Sequence, residues 1–389
     1  MSKLSYLEKL LNEAKFEWKN LSDVARIKNG KDHKSLGEGK FPVYGSGGIM
    51  RYADNYAYNK SSVLIPRKGS LGNLFFVDVP FWTVDTIFYT EIDEAQIRPK
   101  YLYYFLTTVG LGDMNQAGGV PSQTQSVLNK LKIPVPCPDN PEKSLAIQSE
   151  IVRILDKFTA LTAELTAELT AELNIRKKQY NYYRDKLLSF EEDEVEWKTL
   201  EEVSTFANGK GHEKDISKDG KYIVVNSKFI STDGEVAKFS NKQLCPLFKD
   251  DILLVMSDLP NGKALSKTFI IDEDHKYTLN QRIGGITVKN SNELLPKFLH
   301  YFLNRTPQLL KHDNGVDQTN LRKGQILEVK VPMISLIKQV QIVEILDKFD
   351  TYTKSISEGL PREIELRQKQ YEYYRDLLFS FPKPDTVNQ

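Results

Sequence analysis

The sequence predicts an α/β (α+β) protein in which two similar mixed blocks alternate with two long helical segments. Three observations lead to this fold class. IVRILDKF (Ile151–Phe158) returns as IVEILDKF (Ile342–Phe349), and RKKQYNYYRDKLLSF (Arg176–Phe190) returns as RQKQYEYYRDLLFSF (Arg367–Phe381), both displaced by 191 residues. A stretch of good helix formers without Gly or Pro runs from about 142 to 190. Short apolar runs separated by glycine-rich turns fill most of the remaining sequence, as is typical of strands.

The central helical segment, assigned to residues 138–194, is predicted to be a spacer. Its apolar residues recur at three- and four-residue steps, and the tetrad TAEL occurs at Thr162–Leu165, Thr166–Leu169 and Thr170–Leu173. A four-residue unit drifts by about 40° per step on a helix of 3.6 residues per turn, so it does not sustain a heptad seam. Each unit adds about 6 Å, close to one turn, and would change the length of the helix while preserving both ends.

The N-terminus repeats the end of the central segment. YLEKLL (Tyr6–Leu11) precedes FEWKNLSDVA (Phe16–Ala25), as YRDKLLSF (Tyr183–Phe190) precedes VEWKTLEEVS (Val195–Ser204). Residues 1–15 are therefore predicted to form a short helix that completes a circular repeat.

The C-terminal helical segment, residues 333–389, is not a faithful copy of the central one. It carries Gly359-Leu360-Pro361 where the central segment carries its TAEL units. Gly favours the end of one helix and Pro the first turn of the next, so a break is predicted there.

The two blocks, residues 16–137 and 195–332, follow one plan. In the first block the predicted strands are Phe41–Gly45, Ser62–Arg67, Asn73–Val79 and Asp85–Ile92, followed by a helix at Tyr101–Val109. The block ends in Leu128–Pro136, where the prolines favour an edge strand or an exit segment. In the second block the predicted strands are Tyr222–Asn226, Asp251–Ser257, Thr268–Asp272 and Gly284–Val288, followed by a helix at Pro296–Asn304 and by Ile326–Met333 where the first block has Leu128–Pro136. The shared plan with different exposed residues suggests two domains that recognise two different targets.

Composition favours a cytoplasmic binding protein. The sequence has 40% hydrophobic residues, 27% charged residues and no apolar run long enough to span a membrane. The N-terminus is too polar for a signal peptide, and Cys137 and Cys245 are interpreted as free thiols. The net charge of +1 hides slightly basic blocks and an acidic central segment, a weak bias toward nucleic acid.

No motif predicts catalysis. The glycines at Gly45–Gly48 are followed by no amphipathic helix, so they are interpreted as a turn rather than a dinucleotide loop. Gly209-Lys210-Gly211 lacks the Ser or Thr of a phosphate loop, and the five histidines lack metal-ligand spacing. Methyltransferase, nuclease and helicase signatures are also missing from the sequence, so no catalytic residue and no bound cofactor or metal is predicted.

The glycine-rich turns of both blocks carry side chains suited to DNA. Arg pairs with guanine and Asn or Gln with adenine through bidentate contacts, while Lys and Ser more often hold phosphates. Taken alone, each residue is more readily interpreted as a solvated loop residue, and the recurrence in both blocks is the stronger signal. The predicted contacts are Lys31, Lys34, Ser46, Arg51, Arg67, Lys68, Ser70, Asn73, Gln116, Gln123, Lys210, His212, Lys214, Asn226, Lys228, Asn261, Lys263, Asn280, Gln281, Arg282, Gln318 and Asn320.

The alternating blocks, the IVxILDKF and QYxYYRDxLxSF pairs and the tandem TAEL resemble the specificity subunits of type I restriction–modification systems. The resemblance implies two target-recognition domains, each reading half of a bipartite, asymmetric DNA site. Two antiparallel helices in a pseudo-two-fold arrangement would separate them, set the gap and dock two methylation subunits. The chain itself would lack catalysis. The methylation subunits would supply S-adenosylmethionine chemistry, and two restriction subunits would supply cleavage with ATP and Mg.

Two other classes of protein stay open at this point. A helical scaffold whose two α/β blocks bind proteins would show no salt-dependent DNA binding. A single-chain enzyme with a degenerate site would need an acidic or histidine cluster, which the sequence does not show.

Overall fold

The computed structural model describes residues 14–115, 118–191, 193–212, 214–260, 262–354 and 359–381. The predicted N-terminal helix therefore lies outside the described residues except for Ala14 and Lys15. The chain divides into two compact units. Unit 1 combines residues 1–169 with residues 363–389, and unit 2 comprises residues 170–362.

Unit 1 contains the first block. Its strands are β1 (Phe16–Asn20), β2 (Ala25–Asn29), β3 (Glu38–Gly45), β4 (Gly48–Ala53), β5 (Ser62–Pro66), β6 (Phe75–Val77), β7 (Trp82–Thr83), β8 (Ile87–Ile92) and β9 (Lys132–Pro136). Its short helices are α1 (Leu21–Val24), α2 (Pro99–Leu106), a 3-10 turn (Leu111–Asp113) and α3 (Gln125–Leu128). The sheets have the orders β2-β8-β5-β6, β4-β3-β7 and β1-β9. The predicted edge position of the proline-containing exit strand is confirmed, because β9 pairs with β1 alone in its two-stranded sheet.

Unit 2 repeats this plan. Its strands are β10 (Glu196–Thr199), β11 (Ser204–Asn208), β12 (Tyr222–Val225), β13 (Lys238–Ser240), β14 (Ile252–Val255), β15 (Ser257–Asp258), β16 (Thr268–Ile270), β17 (Tyr277–Leu279), β18 (Ile283–Val288), β19 (Thr319–Asn320) and β20 (Lys330–Met333). The sheet orders β11-β18-β14-β16, β13-β12-β17 and β10-β20 match those of unit 1 strand for strand, and β15 pairs with β19 in addition. In each unit one pair is parallel, β3 with β7 and β12 with β17.

The long helices and the remaining short ones are as follows. The central segment is one 47-residue helix, α4 (Pro141–Leu187), which begins in unit 1 and ends in unit 2. The helices after it are α5 (Leu200–Val203), α6 (Ser227–Ser231), α7 (Pro296–Leu303), α8 (Pro307–Leu310), α9 (Lys323–Leu327), α10 (Leu336–Lys354) and α11 (Leu360–Leu378). The break in the C-terminal segment is confirmed, since α10 ends before Gly359 and Pro361 lies in the first turn of α11.

Each unit packs its block against parts of both helical segments. In unit 1, Ile151 and Leu155 of α4 share a buried core with Leu378 and with strands of the first block, and Thr159 bonds Tyr371. Residue numbers therefore rise along α4 as they fall along α11, so the two helices are antiparallel. In unit 2 the end of α4 meets α10 in the same sense, with Tyr180 against Phe349 and Arg176 against Tyr352. The predicted fold class, two mixed units with long antiparallel helices, is confirmed.

A buried glutamine joins each block to its helix. The Arg98 N–H donates to Gln148 Oε1 (2.7 Å), and Gln148 Nε2 donates to the Gln96 carbonyl (3.0 Å). In unit 2 the Leu295 N–H donates to Gln339 Oε1 (2.8 Å), and Gln339 Nε2 donates to the Glu293 carbonyl (2.8 Å). Gln148 and Gln339 are fully buried, so each side chain pairs main-chain groups that would otherwise be orphaned.

A Lys–Asp–Tyr cluster repeats at the same junctions. In unit 1, Lys100 Nζ lies 2.8 Å from Asp156 and the Tyr104 hydroxyl donates to Asp156 (2.6 Å). In unit 2, Lys297 (2.7 Å) and Tyr301 (2.6 Å) contact Asp347 in the same way. Burial, and then the aspartates beside them, raise the pKa of both tyrosines well above the ordinary value. Among the described residues no helix is long and apolar enough to cross a membrane.

Candidate nucleic-acid interface

Three loops of unit 1 meet at one edge of the block. They are the β3–β4 turn at Gly45–Gly48, the loop after β5, and the loop before α3. The Ser46 N–H donates to Thr86 Oγ1 (3.3 Å), while the Arg67 and Lys68 N–H groups donate to the Thr86 carbonyl (2.8 and 3.2 Å). The Gly69 N–H donates to the Pro121 carbonyl (2.8 Å). These four hydrogen bonds, three between main-chain groups and one to the Thr86 side chain, connect the three loops.

This loop framework brings several of the predicted contact residues of the first block together. Asn73 Nδ2 donates to the Ser46 carbonyl (3.5 Å), and the main chain of Lys68 forms an isolated antiparallel β-bridge with that of Ser122. Lys68, Ser70 and Asn73 are exposed. Arg67 is half-buried, with its guanidinium 5.7 Å from the centroid of the Phe88 ring. The exposed members combine a cation with hydroxyl and amide groups, which suits phosphates and base edges.

Two predicted contact residues of the first block are instead committed to main-chain groups. Gln123 is buried, and its Nε2 donates to the Pro66 carbonyl (2.6 Å). Arg51 Nη2 donates to the carbonyls of Leu36 (2.9 Å) and Gly37 (3.0 Å). These side chains hold the loops in place in the structure, which sequence patterns alone did not indicate.

Lys31 and Lys34 lie after β2 with exposed ammonium groups. The Lys31 N–H donates to the Thr83 carbonyl (2.8 Å), and Trp82 Nε1 donates to the Lys31 carbonyl (3.1 Å). The Lys34 N–H donates to Asp32 (3.1 Å) and holds the pKa of that carboxyl below its usual range. The main chain of this turn is therefore fixed while the two cations face solvent.

Unit 2 builds the same framework with different side chains. The Met256 N–H donates to the Arg282 carbonyl (3.2 Å), and the Leu321 N–H donates to the Met256 carbonyl (2.8 Å). The pairing of β15 with β19 places Ser257 opposite Asn320, and the main chain of Lys210 forms an isolated parallel β-bridge with that of Asn280. These bonds bring together the predicted contacts Lys210, Asn280, Arg282, Gln318 and Asn320, of which all but Asn280 are exposed.

Other predicted residues of the second block have internal roles. His212 is buried, with its ring nitrogens 2.8 Å from the Lys210 carbonyl and 2.9 Å from Thr278 Oγ1. Asn226 Oδ1 accepts from the Phe229 N–H (2.9 Å) and caps α6. Lys214, Lys228, Lys263 and Gln281 are exposed. Gln116 and Asn261 lie outside the described residues.

A polar cavity of about 370 Å³ lies beside the last loop of unit 2. Its lining includes His312, Asn314, Gln318, Asn320 and Arg322. Among the described residues no cluster of His, Cys, Asp or Glu could hold a metal ion. The exposed cations, amides and hydroxyls of these loops are suited to binding a polyanion.

Sequence reasoning missed residues that position the loops. Thr86 joins two loops of unit 1, and Asp258 Oδ2 accepts from the Ala264 N–H (2.7 Å) and the Leu265 N–H (3.1 Å) in unit 2. A Cβ on Gly30 would lie 1.9 Å from the Val84 carbonyl oxygen, and one on Gly209 would lie 2.0 Å from that of Asn280. The Asn-Gly-Lys sequence after the second strand of each block was the available signal for these glycines.

Comparison with known proteins identifies the family. The model of the type I restriction modification DNA specificity domain matches residues 13–174 and 192–366. The chain is 41% identical to the type I restriction enzyme EcoR124I/EcoR124II specificity subunit of Escherichia coli, covering 100% of both chains. It is 33% identical to the EcoprrI specificity subunit of E. coli, covering 92% of this chain and 93% of that protein.

A solved structure supports the fold. It is described as showing the complex assembly and conformational transition of the type I restriction–modification system. Its TM-score is 0.60 at 15% identity, with 94% of this chain and 97% of that chain covered. From its sequence matches, the chain belongs to the family of type I restriction–modification specificity subunits.

Proposed function

We propose that this chain is a non-catalytic subunit that recognises a bipartite, asymmetric double-stranded DNA site. Each unit reads one half-site through its loop edge, and residues 16–137 and 195–332 act as the two target-recognition domains. The observation that carries the proposal is one main-chain framework bearing different side chains. The carbonyl that accepts from the residue after the central strand belongs to Thr86 in unit 1 and to Arg282 in unit 2. The next residue, which pairs with the last loop, is Lys68 in unit 1 and Ser257 in unit 2. Two half-sites of different sequence would require this combination.

Partner docking on the helices is supported by a repeated set of exposed apolar side chains. In unit 1 these are Leu161, Leu366 and Tyr373, and in unit 2 they are Tyr352, Ile175 and Tyr182, each displaced by 191 residues from its counterpart. The recurrence of this exposed apolar set in both units supports a protein interaction site on each pair of helices. We assign them to two methylation subunits, which bring S-adenosylmethionine.

The wider complex would act in the cytoplasm. Two restriction subunits would bring ATP and Mg, and this chain would bind none of these groups itself. The exposed cations, amides and hydroxyls of the loops support the DNA-binding part of this division.

The experiment that tests the function maps modified adenines genome-wide in cells that carry this chain with its methylation partner. The expected result is a split motif, two short fixed halves around a fixed gap. Cells that carry the methylation partner alone are the control and should lack the motif. A continuous motif, or none, would contradict two recognition domains and favour a protein-binding scaffold.

A variant in each unit sharpens the same experiment. Arg282→Ala should reduce or change the base preference only in the half-site read by unit 2. Lys68→Ala should weaken methylation of the whole site without changing the base preference at any position. An arginine pair to guanine discriminates by about 1–3 kcal/mol, while a lysine–phosphate contact carries no sequence information. Relaxation of both half-sites by Arg282→Ala would contradict the assignment of one half-site to each unit.

A further inference from the structure

Each unit has one strongly exposed valine on the loop before its exit strand. Val316 is 75% exposed and Val120 is 70% exposed, which places them among the most exposed large apolar residues of the described chain. Both directly follow a glycine, Gly315 and Gly119. Isolated apolar residues on a surface are common, but an exposed valine after a glycine recurs on the same loop of two divergent blocks, which calls for a shared role.

The two valines lie on the corresponding loop of each block but not at the same position, because Lys68 pairs with Ser122 and Ser257 with Asn320, which matches Val120 to Gln318. In unit 1 the loop follows α2, bonds the loop after β5 through Gly69 and Pro121, and continues into α3 and β9. In unit 2 the loop follows α7 and α8, bonds the loop after β14 through β15 and β19, and continues into α9 and β20. Each valine therefore precedes the residues that pair with the loop after β5 in unit 1 or after β14 in unit 2.

The loop around Val316 is held by its own side chains. Asn314 Oδ1 accepts from the N–H groups of Val316 and Asp317 (both 3.0 Å), and Asp313 Oδ1 accepts from the Gly315 N–H (2.9 Å). Gly315 has a φ of 68°, a left-handed conformation that glycine adopts without strain. These bonds present the valine side chain to solvent in a defined position, so little ordering would be needed for it to bind.

The surroundings of Val316 are polar. Gln318, Asn320 and Arg322 follow it on the same loop and line the adjacent cavity. Amide and guanidinium groups match the donors and acceptors of the major groove, where the 5-methyl group of thymine is the apolar feature of the base edges. An apolar side chain set among such groups is suited to that methyl.

We propose that Val316 and Val120 are specificity residues, each packing against a thymine methyl group in the half-site of its own unit. The inference rests on the proposed function and names the base feature that the loop reads. Burying one methyl-sized group contributes about 0.8 kcal/mol, which corresponds to a change in affinity of about fourfold.

The test measures binding of the chain, in complex with its methylation partner, to its split site at one fixed salt concentration. Each thymine is replaced in turn by deoxyuridine, which lacks only the 5-methyl group. The wild-type complex should lose about fourfold in affinity at one position of each half-site. Val316→Ala should abolish the uracil effect in the half-site of unit 2 alone, and Val120→Ala in that of unit 1 alone.

Each variant is the matched control for the other. Both residues are exposed, so thermal unfolding of both variants should match the wild type. A wild-type complex indifferent to every uracil, a uracil effect that survives Val316→Ala, or a half-site without any A·T pair would each overturn the inference while leaving sequence-specific binding intact. Failure to bind a split site at all would contradict the proposed function itself.

Discussion

The ring of Phe158 stacks on the ring of Tyr374, with 5.5 Å between centroids and 5° between planes. In unit 2, Phe349 stacks on Tyr183 at 5.8 Å and 26°. The two pairs are related by the 191-residue displacement of the repeat, but their partners are exchanged between the helical segments. In each unit the start of one copy of the helix packs on the end of the other copy.

The stacked pair should couple the two helices of each unit energetically. We expect Phe158→Ala and Tyr374→Ala to interact by about 0.5–1.5 kcal/mol in a double-mutant cycle of unfolding, because stacked rings contribute beyond their buried area. The cycle of Phe349 and Tyr183 should give a similar value. Leu161→Ala, one turn further along α4, is the control and should show no coupling to Tyr374. Additive effects of Phe158→Ala and Tyr374→Ala would contradict this role.

The two close-approach glycines should tolerate no side chain. Gly30→Ala and Gly209→Ala would drive a methyl group into the carbonyls of Val84 and Asn280, and we expect each to cost about 1–3 kcal/mol of stability. Gly47→Ala is the matched control, because nothing lies within 4 Å of a Cβ at that turn. Thermal unfolding of the three variants checks this, and equal midpoints would show that the loops shift without cost.

Much of the fold was predictable because its signals are local. The buried run of β5 and the matched helices α2 and α7 follow from apolar patterning, and Gly359 with Pro361 marked the start of α11. The sequence pattern does not predict the strand β4, because β4 pairs through a glycine turn and carries exposed residues such as Met50 and Tyr52. Its placement depends on its neighbour rather than on its own sequence.

The contact residues were harder to predict for a physical reason. A loop sequence shows which polar groups are available, but not which of them the main chain uses. Gln123 and Arg51 resemble base and phosphate contacts in the sequence, yet carbonyl groups distant along the chain occupy them. Gln148 and Gln339 could have been found, since they are identical residues separated by the 191-residue displacement.

The buried glutamines should be essential to the attachment of each block to its helix. Gln148→Ala leaves the Arg98 N–H and the Gln96 carbonyl without their partner, at a cost of about 1–3 kcal/mol for each group that stays dry. Gln339→Ala should act in the same way in unit 2. Gln368→Ala removes only an exposed bond to Glu372 and should stay within about 0.5 kcal/mol. Limited proteolysis and thermal unfolding measure the difference, and a Gln148→Ala variant as stable as Gln368→Ala would contradict the role.

Alkaline pH should destabilise the second block through Tyr277. Burial, and then the hydrogen bond from its hydroxyl to Asp272 (2.7 Å), raise the pKa of Tyr277 to about 12. Because the folded state favours the neutral phenol, this contribution is complete below the ordinary tyrosine pKa of about 10 and is lost as pH rises toward 12. The free energy of unfolding of Tyr277→Phe should fall less steeply with rising pH than that of the wild type. The two slopes should differ by at most the value for one bound proton.

The difference in phenolate absorbance between wild type and Tyr277→Phe gives the midpoint of this residue directly. Asp272→Asn should lower that midpoint, since a neutral amide accepts the phenol proton less strongly than a carboxylate. A midpoint near 10 in the wild type would contradict the prediction.

The TAEL units should set the gap of the DNA site. Thr170–Leu173 lies within α4, and deleting it removes about 6 Å of helix at 1.5 Å per residue. Against a rise of 3.4 Å per base step, the gap in the methylated motif should shorten by one to two base pairs, roughly, while both half-sites stay the same. Replacing the same four residues by Ala, which preserves helix length, is the control and should leave the gap unchanged. Mapping of modified adenines reports both quantities, and a deletion that altered a half-site sequence would contradict the spacer role.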